Sequence, residues 1–387
     1  MQQFSSAFAL LRDAIAQRAF PAASLAVTRA AKLIALQSFG KFVYEEDLEG
    51  APSLSRPLRQ GGGFDFLVEP STLFDLASVT KAVATTTMAM ILYERGMLEL
   101  EALVSGMVPE FLAGDARRRA VPLRMLLAHS SGLPAYEKLF LKARSRDELL
   151  HAAFTTALTA DPGTRVEYSD IGFIILGFAL ERIAGEPLDT FCRREVLGPL
   201  GMSNTTFNPP RDLRTKIPPT ADEREGDASA TNPRSTFRNR IVQGEVQDEN
   251  AFVLGGVAGH AGLFSTAEDV ARFAHVMLSG GSPILRPGTI ALFTRRESTP
   301  GGTSRALGWD TPSAPSQSGT HFGPRSYGHL GYTGTSLWID PDQQLSITLL
   351  TNRTWPDCSN QAIKQVRPKI HDAVMEGVNN VLNRGDR

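Results

Sequence analysis

The sequence predicts an α+β protein: an antiparallel sheet built from both chain ends and flanked by helices, with a mostly helical insert between the ends. Three observations carry that reading. Paired apolar, β-rich runs stand near each end, at residues 23–27 with 33–36 and at residues 335–339 with 345–350. The middle of the chain holds stretches of helical period closed by glycine stop signals. Hydrophobic residues make up 42% and charged residues 21% of the 387, enough for a real core and too apolar for a largely disordered chain.

Taken in order, Phe4, Phe8, Leu11 and Ile15 recur at helical spacing, so the chain opens on a helix. Arg12 and Asp13 interrupt that stretch before a secretory apolar region forms, which places the expected compartment in the cytoplasm. Runs 23–27 and 33–36 read as a hairpin. Residues 80–95 read as a helix closed by Gly96, and 171–184 as another closed by Gly185. The apolar stretch 171–180 is too short to span a bilayer, so no membrane span is expected.

Residues 187–196 and 267–278 continue the helical pattern, the latter opened by a capping box of Ser265 and Glu268. Pro341-Asp342 turns the second strand pair, and a last helix from Asn360 meets a kink at Pro368. This divides the chain into a sheet region, 1–95 with 262–387, and a mostly helical region, 96–261, intergrown as one catalytic unit. Within the latter, 211–249 turns polar and reads as a long surface excursion, either disordered or a wall over a site. The glycine-rich run 255–262 lacks the Lys-Ser/Thr ending of a phosphate loop.

Charge and cysteine content narrow the function. A net charge of −1 creates no global field for nucleic acid or an anionic membrane. Cys192 and Cys358 form no Cys-x-x-Cys pattern, and the seven histidines show no paired metal-ligand spacing. No metal and no cofactor are therefore expected.

Ser78-Val79-Thr80-Lys81 carries the chemistry. It opens a helix, where residues three apart share a face, so the lysine amine reaches the serine hydroxyl. Serine needs a base, and burial beneath Ala- and Met-rich sequence would depress the lysine pKa and let it serve. Ser38-Phe39-Gly40-Lys41 matches the same pattern but lies at a strand end, where nothing aligns the pair. Tyr168-Ser169-Asp170 sits in a turn before a helix, and a phenol there can shuttle a proton. His329-Leu330-Gly331-Tyr332-Thr333-Gly334-Thr335 leads into a strand, its glycines allowing a substrate to lie along the edge. His129 reads as the end of a helix, and His260 sits in the glycine-rich run.

In order and placement these motifs resemble the serine β-lactamase and penicillin-binding protein superfamily, in particular its class C-like branch. The likeness runs from about residue 20 to 352 and includes residues 74–81, 126–133, 168–177, 200–202 and 328–331. It implies that Ser78 is acylated, that Lys81 is its base and that Tyr168 completes the proton relay. It further implies an oxyanion hole from the backbone N–H groups of Ser78 and Tyr332, with Asp170, His329, Gly331 and Tyr332 lining the substrate. Two positions depart from the pattern. Asp170 stands where Asn is usual, and His329, followed by Leu330, stands where β-lactamases place an anion-binding lysine. A neutral histidine attracts a carboxylate less than lysine does, which argues against efficient penicillin hydrolysis. The expected partner is a small-molecule or peptide-like acyl substrate, and the expected activity an esterase or amide hydrolase. The alternatives are a D,D-peptidase, a D-aminopeptidase or a weak β-lactamase.

Overall fold

The computed structural model describes residues 2–44, 67–224 and 237–385. The chain ends build one sheet, as expected. The amino-terminal part gives β1 (Ala22–Arg29) and β2 (Lys32–Gly40). The carboxy-terminal part gives β3 (Tyr327–Leu330), β4 (Ser336–Asp340) and β5 (Leu345–Thr351). The order is β2-β1-β5-β4-β3, antiparallel throughout, with Ala23 opposite Thr351 and Val27 opposite Ile347.

Alternation along the central strands feeds two apolar clusters. Leu25, Val27, Ile347 and Leu349 join Phe4, Leu11, Ile370 and Val374 beneath the Ser5–Ala16 and Ile363–Gly385 helices. Ala22, Ala26 and Leu350 face the other way, into a larger cluster with Phe273 and Met277 of the Ala267–Leu278 helix. That second cluster runs on into the helical insert through Val83, Met88, Phe173 and Leu176. The site described below lies where sheet and insert meet.

Several local expectations are revised. The Ala267–Leu278 helix is capped by Thr266, whose hydroxyl accepts from the Asp269 N–H, and not by Ser265 with Glu268. Ser265 is still extended, paired with Phe74, so the first residue free to cap comes one later. The helix over 80–95 forms, but Lys81–Thr86 is a π-helical stretch before regular Thr87–Glu94. The run Thr85-Thr86-Thr87 is poorly suited to tight helix, and the Thr87 hydroxyl bonds back to the Ala82 carbonyl at 3.0 Å. The last helix, Ile363–Gly385 with Pro368 inside it, begins three residues later than the expected Asn360.

Residues 225–236 of the polar excursion lie outside the described residues. Its described parts pair with each other, Ala221–Asp222 with Ile241–Val242 and Arg238 with Glu223 in a buried ion pair at 2.7 Å, and are tied to the rest of the protein where the Asp222 N–H donates to the Pro356 carbonyl at 2.8 Å. Among the described residues, no helix is long and apolar enough to cross a membrane.

Candidate active site

The turn that presents Ser78 is built by Asp75. One carboxylate oxygen accepts the Ala77 N–H at 2.8 Å and the other the Gln247 N–H at 2.7 Å. This closes a local turn in which Ala77 takes a left-handed φ of 46°, uncommon for a residue with a side chain. Burial pushes the Asp75 carboxyl up to about 6, although both N–H bonds favour its charged form. The polar excursion thus reaches the site at Gln247. The third motif is stitched to the same turn: the Thr333 hydroxyl donates to the Asp75 carbonyl at 2.7 Å, and that of Thr335 to the Leu76 carbonyl at 2.9 Å. Gly331 permits this approach, because a Cβ there would lie 2.5 Å from the Leu76 carbonyl oxygen.

Lys81 is the hub. It is fully buried, and its Nζ donates to Ser78 Oγ at 2.9 Å, Asp170 Oδ1 at 2.6 Å and the His260 carbonyl at 3.0 Å. The ammonium also lies 4.9 Å from the centre of the Tyr168 ring. Burial alone would lower its pKa, as the sequence suggests. The Asp170 carboxylate opposes that, with a smaller contribution from Tyr168, and the net shift is upward. The resting lysine is therefore an ammonium, a reversal of the expected depressed amine. Burial and the Asp170 carboxylate raise the Tyr168 phenol, while its interactions with Lys81 and Ser78 pull the other way, so the phenol rests neutral.

Asp170 is available because another residue caps its helix. Ser169 accepts the Gly172 N–H at 3.0 Å, leaving Asp170 at the first helical position, where the helix dipole favours its negative charge. His129 locks this turn in place. Its Nδ1 accepts the Ser169 N–H at 3.0 Å, and its ring stacks 5.0 Å from Phe173 and packs 4.7 Å from Tyr168. It does follow a helix end, as expected, but with φ of 57° at a position where glycine is usual. The Ser130 N–H bonds to the Met125 carbonyl and the His129 N–H to that of Leu126, a Schellman closure. The strain of a left-handed histidine is accepted for an imidazole beside Tyr168. Burial, with Arg305 and Lys81 nearby, holds His129 well below its usual pKa, so the ring is neutral.

His329 lies on β3 with Nδ1 2.8 Å from the Leu330 carbonyl, so Nδ1 carries the proton. Its Nε2 is a buried acceptor with no partner among the described residues. Burial, followed by the charges of Lys81 and Arg305, pushes its pKa down to about 3. It carries no charge at neutral pH. Tyr332 is 48% exposed, with the Arg353 guanidinium 4.4 Å from its ring. Among the described residues, the backbone N–H groups of Ser78 and Tyr332 have no protein acceptor. His260 turns away, its Nε2 2.8 Å from Asp248, so only its carbonyl serves the lysine. Ser38 lies on the edge strand, 3.2 Å from Ser24, away from all of this. Among the described residues, no group of histidine, cysteine or carboxylate side chains could hold a metal ion.

The structure thus brings Ser78, Lys81, Tyr168, Asp170 and His329 together. It adds residues that the sequence reading missed or set aside. Asp75 had a weak signal, an acidic residue two before Ala77 in the manner of a local side-chain turn. His129 was visible but looked like an ordinary helix end. Arg305, whose Cζ lies 5.2 Å from the Tyr168 ring centre, stands in a loop 137 positions from Tyr168 along the chain (305 − 168), and nothing local marks it.

Comparison with known proteins bears on the same fold. A family model described as Beta-lactamase matches residues 7–367. The chain is 34% identical over 357 residues to an N-acetylmuramyl-L-alanine amidase of Bacillus subtilis (strain 168), covering 86% of this chain and 77% of that protein. It is 32% identical over 367 residues to a putative D-alanyl-D-alanine carboxypeptidase of Salmonella agona (strain SL483), covering 89% and 81%. Among solved structures it is similar to EstCE1, a hydrolase with promiscuous acyltransferase activity, with a TM-score of 0.74 and 22% identity over 97% of this chain and 99% of that one. A penicillin-binding protein homologue from Caulobacter crescentus matches with a TM-score of 0.72 and 17% identity, over 97% and 98% of the two chains. The chain belongs to the β-lactamase family of serine hydrolases.

Proposed function

We propose that this serine hydrolase cleaves amides, and activated esters, of small peptide-like acyl substrates through an acyl-enzyme on Ser78. The observation that carries the reading is the Lys81 Nζ, 2.9 Å from Ser78 Oγ and 2.6 Å from Asp170 Oδ1, beneath the Tyr168 ring. Ser78 Oγ attacks the substrate carbonyl as its proton passes to Lys81. Because the resting lysine is an ammonium, it first releases a proton to solvent, and the Asp170 carboxylate sets how readily it does so. The backbone N–H groups of Ser78 and Tyr332 stabilise the oxyanion. The proton then returns through the Tyr168 phenol to the leaving nitrogen or oxygen, and water releases the acid from Ser78.

Amides are the favoured class because the curated relatives are named as an amidase and a carboxypeptidase. A second reading, neutral esters, is supported by the uncharged His329, which offers a carboxylate-bearing drug no cation. A hydrolysis panel of short p-nitrophenyl esters, alanine amides of both hands and a chromogenic cephalosporin tests both. Turnover of amides together with activated esters supports the first reading. Esters alone would support the second, and cephalosporin as the best substrate would contradict both.

A further inference from the structure

Resting on that reading, we infer that Arg238, on the polar excursion, is a positioning residue for the Ser78–Lys81 pair. It pins a short strap, residues 246–248, which holds the Ser78 turn at one point and the carbonyl acceptor of Lys81 at another.

The strap reaches both halves of the chemistry through hydrogen bonds. The Gln247 N–H donates to Asp75 Oδ2 at 2.7 Å, and Asp75 Oδ1 accepts at 2.8 Å from the N–H of Ala77, the residue before Ser78. One residue on, Asp248 Oδ1 lies 2.8 Å from His260 Nε2, and the His260 carbonyl accepts from the Lys81 ammonium at 3.0 Å. The third strap residue, Val246, is seated in the larger apolar cluster.

Arg238 grips the same strap. Its Nη1 donates to the Val246 carbonyl and its Nη2 to the Gln247 carbonyl, both at 2.7 Å. The C=O and N–H of a trans peptide point in opposite directions. Arg238 and Asp75 therefore hold the peptide between Val246 and Gln247 from opposite edges. Arg238 is itself oriented by Glu223, whose carboxylate oxygens accept from Nε at 3.0 Å and from Nη2 at 2.7 Å, with both side chains 2% exposed. A buried ion pair adds little net stability over apolar residues of the same volume. What this one supplies is direction: a planar fork serves Glu223 and two successive carbonyls at once, which a lysine cannot do.

The same contacts act on Asp75. Burial raises its carboxyl to about 6; the Gln247 and Ala77 N–H groups and the Arg238 charge oppose that, while the Asp248 carboxylate adds to it. Protonating Asp75 weakens its hold on both N–H groups, so the turn and the strap loosen together.

The test is stopped-flow release of p-nitrophenolate from p-nitrophenyl butyrate, read as the limiting acylation rate and the half-saturating concentration across acid and neutral pH. In wild type the fall in rate with acidity should steepen near pH 6, where Asp75 joins Lys81 in taking up a proton. Arg238→Lys should lower the limiting rate at neutral pH by about tenfold or more, the scale of a misplaced reacting group, and leave the half-saturating concentration unchanged. It should also move the break up by about one pH unit, the size of a weakened hydrogen bond to a charged group. Arg238→Gln combined with Glu223→Gln, which leaves no unpaired buried charge, should do the same, and Asp75→Asn should abolish the break. Circular dichroism checks that each variant is folded. A folded Arg238 variant whose rate and break match wild type, one that loses only thermal stability, or a wild type with no break would overturn the inference and leave the acyl-enzyme reading standing. If wild type releases no p-nitrophenolate, the acyl-enzyme reading falls and this inference falls with it.

Discussion

Replacing Asp170 with Asn removes the carboxylate 2.6 Å from the Lys81 ammonium while keeping a side chain of the same shape. In the wild type, burial lowers the Lys81 pKa and Asp170 is the largest force raising it. One opposite charge at such a distance is worth about 1 to 3 pKa units, or roughly 1.4 to 4 kcal/mol between the two protonation states. Without it, burial prevails and the lysine titrates lower. Wild-type kcat/KM for an activated ester should climb with pH through neutrality, because the free amine is scarce. Asp170→Asn should reach its plateau about 1 to 3 pH units earlier. Stability should follow the same charge. The variant's folded lysine has a depressed pKa, so its native state sheds a proton before its unfolded state does, and its deficit shrinks as pH rises. The assay is a pair of pH–rate profiles with p-nitrophenyl butyrate, alongside urea unfolding at neutral and alkaline pH. Superimposable profiles would refute the idea that Asp170 sets the state of Lys81. A variant dead at every pH would instead make Asp170 itself an indispensable proton acceptor.

Tyr168→Phe should slow amide hydrolysis by two or more orders of magnitude, roughly the range for lost acid–base help, and activated esters far less, because p-nitrophenolate leaves without a proton. Equal losses on both substrates would remove the phenol from the leaving-group step. Asp75 has a folded pKa of about 6 against 3.8, so the stability it favours is complete below about pH 4 and is lost as pH rises through 6. A shift of about two units is worth roughly 3 kcal/mol; Asp75→Asn should flatten that decline in urea unfolding, and parallel wild-type and variant curves would exclude it. Ala30 and Ala31, exposed in the β1–β2 hairpin, have φ of 44° and 66°. Ala31→Gly should raise stability by about 0.5 to 1 kcal/mol, read as a higher Tm, and an unchanged or lower Tm would show that the turn is not strained.

The fold was legible where one period ruled. The apolar runs at residues 23–27 and 345–350 report a sheet buried on both faces, and Gly96 and Gly185, with φ of 68° and 71°, do end their helices. The cap at Thr266 was missed by one residue because Ser265 is as good a cap by type, and only its pairing with Phe74 disqualifies it. Ser78 and Lys81 could be read because they are neighbours on one helix turn. The proton state of Lys81 could not, since it depends on Asp170, 89 positions away (170 − 81), reaching inward once Ser169 has taken over the cap. Arg305 is legible only after Asp310 pairs with Gly328 and brings its loop beside β3. Sequence spacing carries local contacts, while the electrostatics of this site are assembled across the fold.

On the proposed mechanism the acyl-enzyme forms on Ser78 and not on Ser38. The direct measurement is intact-protein mass spectrometry after brief exposure to a p-nitrophenyl ester, followed by peptide mapping of the adduct, on wild type, Ser78→Ala and Ser38→Ala. Wild type and Ser38→Ala should each gain one acyl group on the peptide containing Ser78. Ser78→Ala should gain none and lose ester hydrolysis, while remaining folded by circular dichroism. An adduct on Ser38, or full hydrolysis by the Ser78→Ala protein, would contradict the account.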